Sequence, residues 1–124
     1  MATILCVDDE ATQLILLQFA FERAGFSVLT ATDGQGAIEV VQTEQPDIIL
    51  MDLMMPRKNG YETTAEIKAL PGFANTPIIL YTAYAQAELA SKAKAVGATD
   101  IIRKTTPPKE LVTLIRTLLE TPHA

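Results

Sequence analysis

The sequence predicts an α/β fold in which five strand–helix units, (βα)5, build a parallel sheet covered on both faces. Three observations carry this. Short apolar runs and helical patterns alternate five times along the chain. The run Thr3-Ile4-Leu5-Cys6-Val7 is continuously apolar, as a strand buried on both faces should be. Glycines and prolines fall at the joints between elements.

After the first strand, residues 11–24 read as a helix with Leu14, Leu17, Phe21 and Ala24 three or four apart, closed by Gly25. Ser27 to Ala31 is the second strand, and Asp33 or Gly34 can cap a helix over 35–43. Pro46 breaks the chain before Ile48-Ile49-Leu50-Met51, a third strand ending at Asp52. Pro56 and Gly60 mark a loop, and a helix follows to about Leu70, where Pro71-Gly72 interrupts again. Pro77 leads into a fourth strand, Ile78 to Thr82; residues 84–96 are helical and Gly97 caps them. Asp100 to Arg103 is a short last strand. Thr106 is expected as N-cap of a final helix over 107–119, with prolines in its first turn and Leu111, Leu114, Ile115 and Leu118 as its apolar stripe.

The 124 residues suffice for one domain, 1–124, with a frayed tail over about 121–124, and 48% hydrophobic content is enough for a sizeable core. Any output domain is expected on another chain. No apolar run reaches the length of a membrane span, and no signal peptide is expected. The net charge of −5 and the lack of a Lys/Arg cluster argue against nucleic-acid binding by this chain. A lone cysteine, Cys6, fits a reducing cytoplasm and reads as a buried, inert thiol.

Parallel sheets of this kind bind ligands at the carboxyl ends of their strands. Here strand one ends in Asp8-Asp9-Glu10, strand three in Asp52, strand four in Thr82 and strand five in Lys104, so four strands deliver polar groups to one edge. Each alone has a bland alternative: a solvated helix start, a loop acid, an ordinary strand threonine, a surface lysine. Together they form a chemical set. Two carboxylates ~4 Å apart repel by roughly 4 kcal/mol at an effective dielectric of about 20, so Asp8, Asp9 and Asp52 call for a cation. Hard carboxylate oxygens suit Mg²⁺. A phosphoryl group arriving on a carboxylate gives an acyl phosphate. It needs that ion, a fixed cation such as Lys104 and a donor such as the Thr82 hydroxyl.

The segments Leu5 to Glu10, Ile48 to Pro56 with the Gly60 that follows, Ile78 to Ala83, and Lys104 resemble the motifs of bacterial two-component response-regulator receiver domains, stand-alone chemotaxis regulators among them. The likeness runs in order over essentially the whole chain. It implies a flavodoxin-like sheet in order 2-1-3-4-5 and a phosphohistidine donor, on a sensor histidine kinase or a phosphotransfer protein. It implies Asp52 as acceptor, Asp9 as direct Mg²⁺ ligand, Asp8 as a ligand through water, and the Met54 backbone carbonyl as a further metal contact. Thr82, the Ala83 backbone and Lys104 would touch the phosphoryl group. A downstream protein would read the state on the face of helix 84–96, strand 100–103 and helix 107–119, where Ala90, Ala93, Ala95 and Gly97 leave the first helix small-sided.

The sequence departs from the family twice. Lys104 is followed by Thr105 where receivers usually carry proline, and Ile101 stands where an aromatic is common. The family's Lys-Pro bond is typically cis, but a cis Lys104-Thr105 bond would cost about 2.5–4 kcal/mol, so trans is expected. Ile101, β-branched and stiff, is expected to keep one position in both states, with the signal travelling through shifts near Thr82 to Ala85.

Met51, Met54 and Met55 are expected to pack around the acceptor loop, with Met55 the one to suit a surface if exposed. Tyr81 and Tyr84 flank Thr82 and read as packing residues, and His123 carries no role. An aspartyl phosphatase would place a second acid two residues after its nucleophile, where this chain has Met54, so turnover of a separate substrate is not expected. A non-phosphorylated interaction module would not require all of Asp8, Asp9, Asp52, Thr82 and Lys104. No Gly-rich phosphate loop supports a nucleotide or flavin.

Overall fold

The computed structural model describes residues 2–83 and 87–120. The expectations for Tyr84, Ala85, His123 and the tail over 121–124 lie outside them. The elements are β1 (Thr3–Val7), α1 (Ala11–Arg23), β2 (Ser27–Ala31), α2 (Gly34–Glu44), β3 (Ile48–Asp52), α3 (Gly60–Ala69), β4 (Ile78–Thr82), α4 (Ala87–Ala95), β5 (Asp100–Arg103) and α5 (Pro108–Glu120). The strands form one sheet in the order β2-β1-β3-β4-β5, with every neighbouring pair parallel.

Strand alternation divides the core in two. Leu5, Val7, Ile49, Met51, Ile78 and Leu80 face the layer of α2, α3 and α4, where they meet Ala37, Val41, Ile67 and Ala93. Ile4, Cys6, Ile48, Leu50, Ile79 and Tyr81 face α1 and α5, against Leu14, Leu17, Phe21, Leu111 and Ile115. Both faces are covered, which explains why β1, β3 and β4 read as continuous apolar runs.

The punctuation has physical causes. Gly25 takes φ +97° after α1, its N–H bonding Glu22 while the Phe26 N–H reaches back to the Phe21 carbonyl. Gly97 closes α4 the same way, at φ +93° with Ala98 bonded to Ala93. Asp33 caps α2 by accepting from the Gly36 N–H at 2.7 Å. One cap differs from expectation. Helix α5 starts at Pro108, so Pro107 is its flanking residue and its carbonyl accepts from Leu111; Thr106 instead closes a turn on the Arg103 carbonyl.

Candidate functional site

The sheet register assembles the site. Val7 lies opposite Met51, so the next residues, Asp8 and Asp52, emerge side by side. Asp52 lies opposite Tyr81 on β4, and Thr82 lies opposite Arg103, one residue before Lys104. The Lys104 N–H bonds the Thr82 carbonyl at 2.7 Å, which extends the β4–β5 ladder to the lysine.

Asp8 is 0% exposed and Asp52 1%, while Asp9 is exposed. The Lys104 ammonium sits 3.0 Å from Asp8 Oδ2 and 3.2 Å from Asp52 Oδ1. Asp52 Oδ1 also accepts the Met54 N–H at 3.2 Å, and Asp8 Oδ1 accepts the Glu10 N–H at 2.9 Å. Burial first, and the charge of Asp8 second, push the Asp52 carboxyl up to about 7, against the pull of Lys104 and the Met54 N–H. Burial works against the charge of Lys104, but its bonds to the two carboxylates outweigh it and hold its pKa above the ordinary value.

One carboxylate oxygen from each of Asp8, Asp9 and Asp52 lies within 4.8 Å of the others. Three acids converge where one ammonium serves two of them, an excess of negative charge on hard oxygen donors. That donor set fits a divalent cation of the Mg²⁺ class.

The acceptor loop is held from below. The Leu53 N–H bonds the Tyr81 carbonyl, and the Gly60 N–H bonds the Leu53 carbonyl at 2.8 Å. Asn59 and Glu62 form a reciprocal capping box that starts α3 immediately beyond. Arg57 turns this loop at φ +67° and pairs with Asp33 across it.

The structure brings Asp8, Asp9, Asp52 and Lys104 together, with Thr82 buried beside them at the end of β4 and Ala83 exposed just beyond. Lys104-Thr105 is trans, as are all peptide bonds among the described residues. Ile101 is half-buried against the core on the α2–α3–α4 side. Two expectations change. Met51 and Met55 are buried as expected, but Met54 stands 70% exposed, because the loop turns outward immediately after Leu53 enters the core. Tyr81 is more than a packing residue. Its ring is buried, but its hydroxyl donates to Asp8 Oδ2 at 2.5 Å, and the Lys104 ammonium lies 5.0 Å from the ring centroid. The signal was present in the sequence: Tyr81 shares the strand parity that turns Asp8 and Asp52 to the same face.

A match to the response regulator receiver domain family covers residues 4–116. The chain belongs to this family. It is 34% identical over 116 residues to the alkaline phosphatase synthesis transcriptional regulatory protein PhoP of Bacillus subtilis, covering 94% of this chain and 48% of that protein. It is 37% identical over 123 residues to the transcriptional regulatory protein CpxR of Escherichia coli, covering 99% of this chain and 51% of that protein. The receiver thus spans about half the length of these curated relatives. Among solved structures, the chemotaxis protein CheY4 of Vibrio cholerae superposes with TM-score 0.91 at 31% identity, covering 94% of this chain and 98% of that one. A putative response regulator from Chloroflexus aurantiacus gives TM-score 0.90 at 28% identity, covering 97% and 98%. Among the described residues of the receiver no helix is long and apolar enough to cross a membrane.

Proposed function

We propose that this receiver is a phosphorylation-dependent switch of a two-component phosphorelay, accepting a phosphoryl group on Asp52 from the phosphohistidine of a sensor histidine kinase or phosphotransfer protein. A carboxylate oxygen of Asp52 attacks phosphorus, the N–P bond to the donor histidine breaks, and an acyl phosphate forms as the imidazole, protonated on its other ring nitrogen, leaves neutral. The observation that carries this reading is the Asp52 carboxylate, buried, bonded to Lys104 at 3.2 Å and set beside two further acids.

Asp9, Asp52 and the Met54 carbonyl would hold Mg²⁺ directly and Asp8 would hold it through water; the ion, when bound, neutralises charge on the acids and on the incoming phosphoryl oxygens. The exposure of Asp9 and the three donors already on Asp8 support that division of roles. Lys104 shares its ammonium between Asp8 and Asp52, so it can swing to a phosphoryl oxygen without leaving the site. The Thr82 hydroxyl and the Ala83 N–H are the further donors in this reading.

Ile15, Leu16 and Phe19 expose apolar side chains on α1, and Leu16 borders a groove with Lys104, Thr105 and Pro107. We assign the phosphoryl donor to this side of the molecule and a downstream protein to the α4–β5–α5 face. Exposed Met54 has no proton to give a leaving group, which supports a switch without turnover of a separate substrate. The buried single thiol suits a reducing compartment, and we assign the switch to the cytoplasm, with no nucleic-acid contact by this acidic chain.

Intact-mass measurement after incubation with a small amido or acyl phosphate donor tests the reading. The wild type should gain one phosphoryl group only with Mg²⁺ present, and Asp52→Asn none. Equal uptake by both proteins would overturn it.

A further inference from the structure

Tyr81 places a phenol where an apolar side chain would serve the core equally well. It lies on the sheet face packed by α1 and α5, in the row Asp8–Asp52–Tyr81 that crosses β1, β3 and β4. Its hydroxyl is carried past Asp52 to Asp8 Oδ2, at 2.5 Å, and its ring lies 5.0 Å from the ammonium that bonds the same oxygen. We infer that Tyr81 is a positioning residue of the cation site: its hydroxyl holds Asp8 turned toward Lys104 and thereby weakens the hold of the acid cluster on Mg²⁺. This rests on the reading of Asp8, Asp9 and Asp52 as the Mg²⁺ site.

An ionised carboxylate offers about four acceptor sites. On Asp8, Oδ2 takes the Tyr81 hydroxyl and the Lys104 ammonium, and Oδ1 takes the Glu10 N–H. About one site remains, on Oδ1, for a metal or a metal-bound water. The phenol is the donor in this bond, because an ionised carboxylate can only accept. Removing the hydroxyl takes one donor from the buried Asp8 Oδ2 in the metal-free protein. A bound cation with its water shell can satisfy the lone pair so freed, so the metal-free state loses more than the metal-bound state. The affinity for Mg²⁺ should therefore rise. The ring, which flanks Lys104, is unchanged in Tyr81→Phe, so the variant separates the hydroxyl from the packing.

The test is titration of Mg²⁺ alone, followed by amide chemical shifts, into wild type, Tyr81→Phe, Asp8→Ala and the double variant. Tyr81→Phe should bind Mg²⁺ about threefold to tenfold more tightly than wild type, the size of one hydrogen bond. In the Asp8→Ala background the same change should have no effect. A residue that serves packing alone would leave the affinity unchanged in Tyr81→Phe. That result, a weaker affinity, or equal tightening in both backgrounds would overturn the inference. Wild type that takes up no Mg²⁺ would remove the site reading beneath it and the inference together, whereas normal wild-type binding with an unchanged Tyr81→Phe removes the inference alone. The metal-free wild type gives a check that needs no variant. Its Tyr81 hydroxyl proton should exchange slowly and give a resolved resonance, and fast exchange with water would contradict the bond to Asp8.

Discussion

Gly60 lies so close beneath Asp52 that a Cβ on Gly60 would sit 2.6 Å from the Asp52 carbonyl oxygen and 2.9 Å from Leu53 Cα. Both neighbours are backbone, so neither can swing aside. The first residue of α3 is thus wedged under the residue that carries the reactive carboxylate. Gly60→Ala must push the acceptor loop away from α3, lengthening the Gly60 N–H to Leu53 carbonyl bond. The expected cost is roughly 1–3 kcal/mol of stability, in the range of overpacked sites, with slower phosphorylation of Asp52. Denaturant unfolding and intact-mass time courses check the two effects.

Asp52 makes the metal-free protein sensitive to pH. Its folded pKa is raised to about 7, above the ordinary value of about 4. The folded state therefore holds this proton more tightly than the unfolded state. Asp52 contributes stability that is fully present below about pH 4 and is lost as pH rises through about 7. With a chelator present, the melting temperatures of wild type and Asp52→Asn should lie close together at or below about pH 4. Near pH 8 the variant should be the more stable by on the order of 4 kcal/mol, since each pH unit between about 4 and about 7 costs the wild type about 1.4 kcal/mol. Thermal melts at the two pH values measure the difference, and a gap that narrows with rising pH would reverse the sign.

Lys104 is the ammonium shared by the two buried acids. In Lys104→Met both would keep their burial and lose this cation. Metal-free stability should fall by roughly 1–3 kcal/mol, the cost of leaving buried acceptors unsatisfied. Saturating Mg²⁺ should recover most of that loss, because a bound cation can replace the charge. Denaturant unfolding with Mg²⁺ and with a chelator gives both numbers.

The strands, their parallel pairing and the edge that carries the acids were legible from the sequence because both faces of the sheet are buried. Under that condition Ile48 to Met51 and Ile78 to Leu80 read as unbroken apolar runs. Helix ends were less legible, since they depend on backbone bonds rather than on pattern. Thr106 looks like a cap, yet its N–H is taken by a turn on Arg103 and the helix waits until Pro108. Met54 departs from the packing expected of it for a similar reason: neighbouring identical residues carry no pattern, and the route of the loop decides which one is buried. Tyr81 was read as packing because ring burial and hydroxyl placement are separate facts. Strand parity puts Tyr81 on the face of Asp8 and Asp52, and the β1–β3 and β3–β4 registers show that the three stand in one row.

The central claim, that Asp52 is the residue that carries the phosphoryl group, is tested most directly by trapping. Wild-type protein is treated with a small phosphate donor and Mg²⁺, the acyl phosphate is reduced with borohydride, and the digested protein is mapped by peptide mass spectrometry. Reduction converts a phosphorylated aspartate to homoserine. The account predicts homoserine at position 52 alone, and none when Mg²⁺ is replaced by a chelator. Homoserine at position 8 or 9, or an unmodified Asp52 in protein that has taken up phosphate, would contradict it.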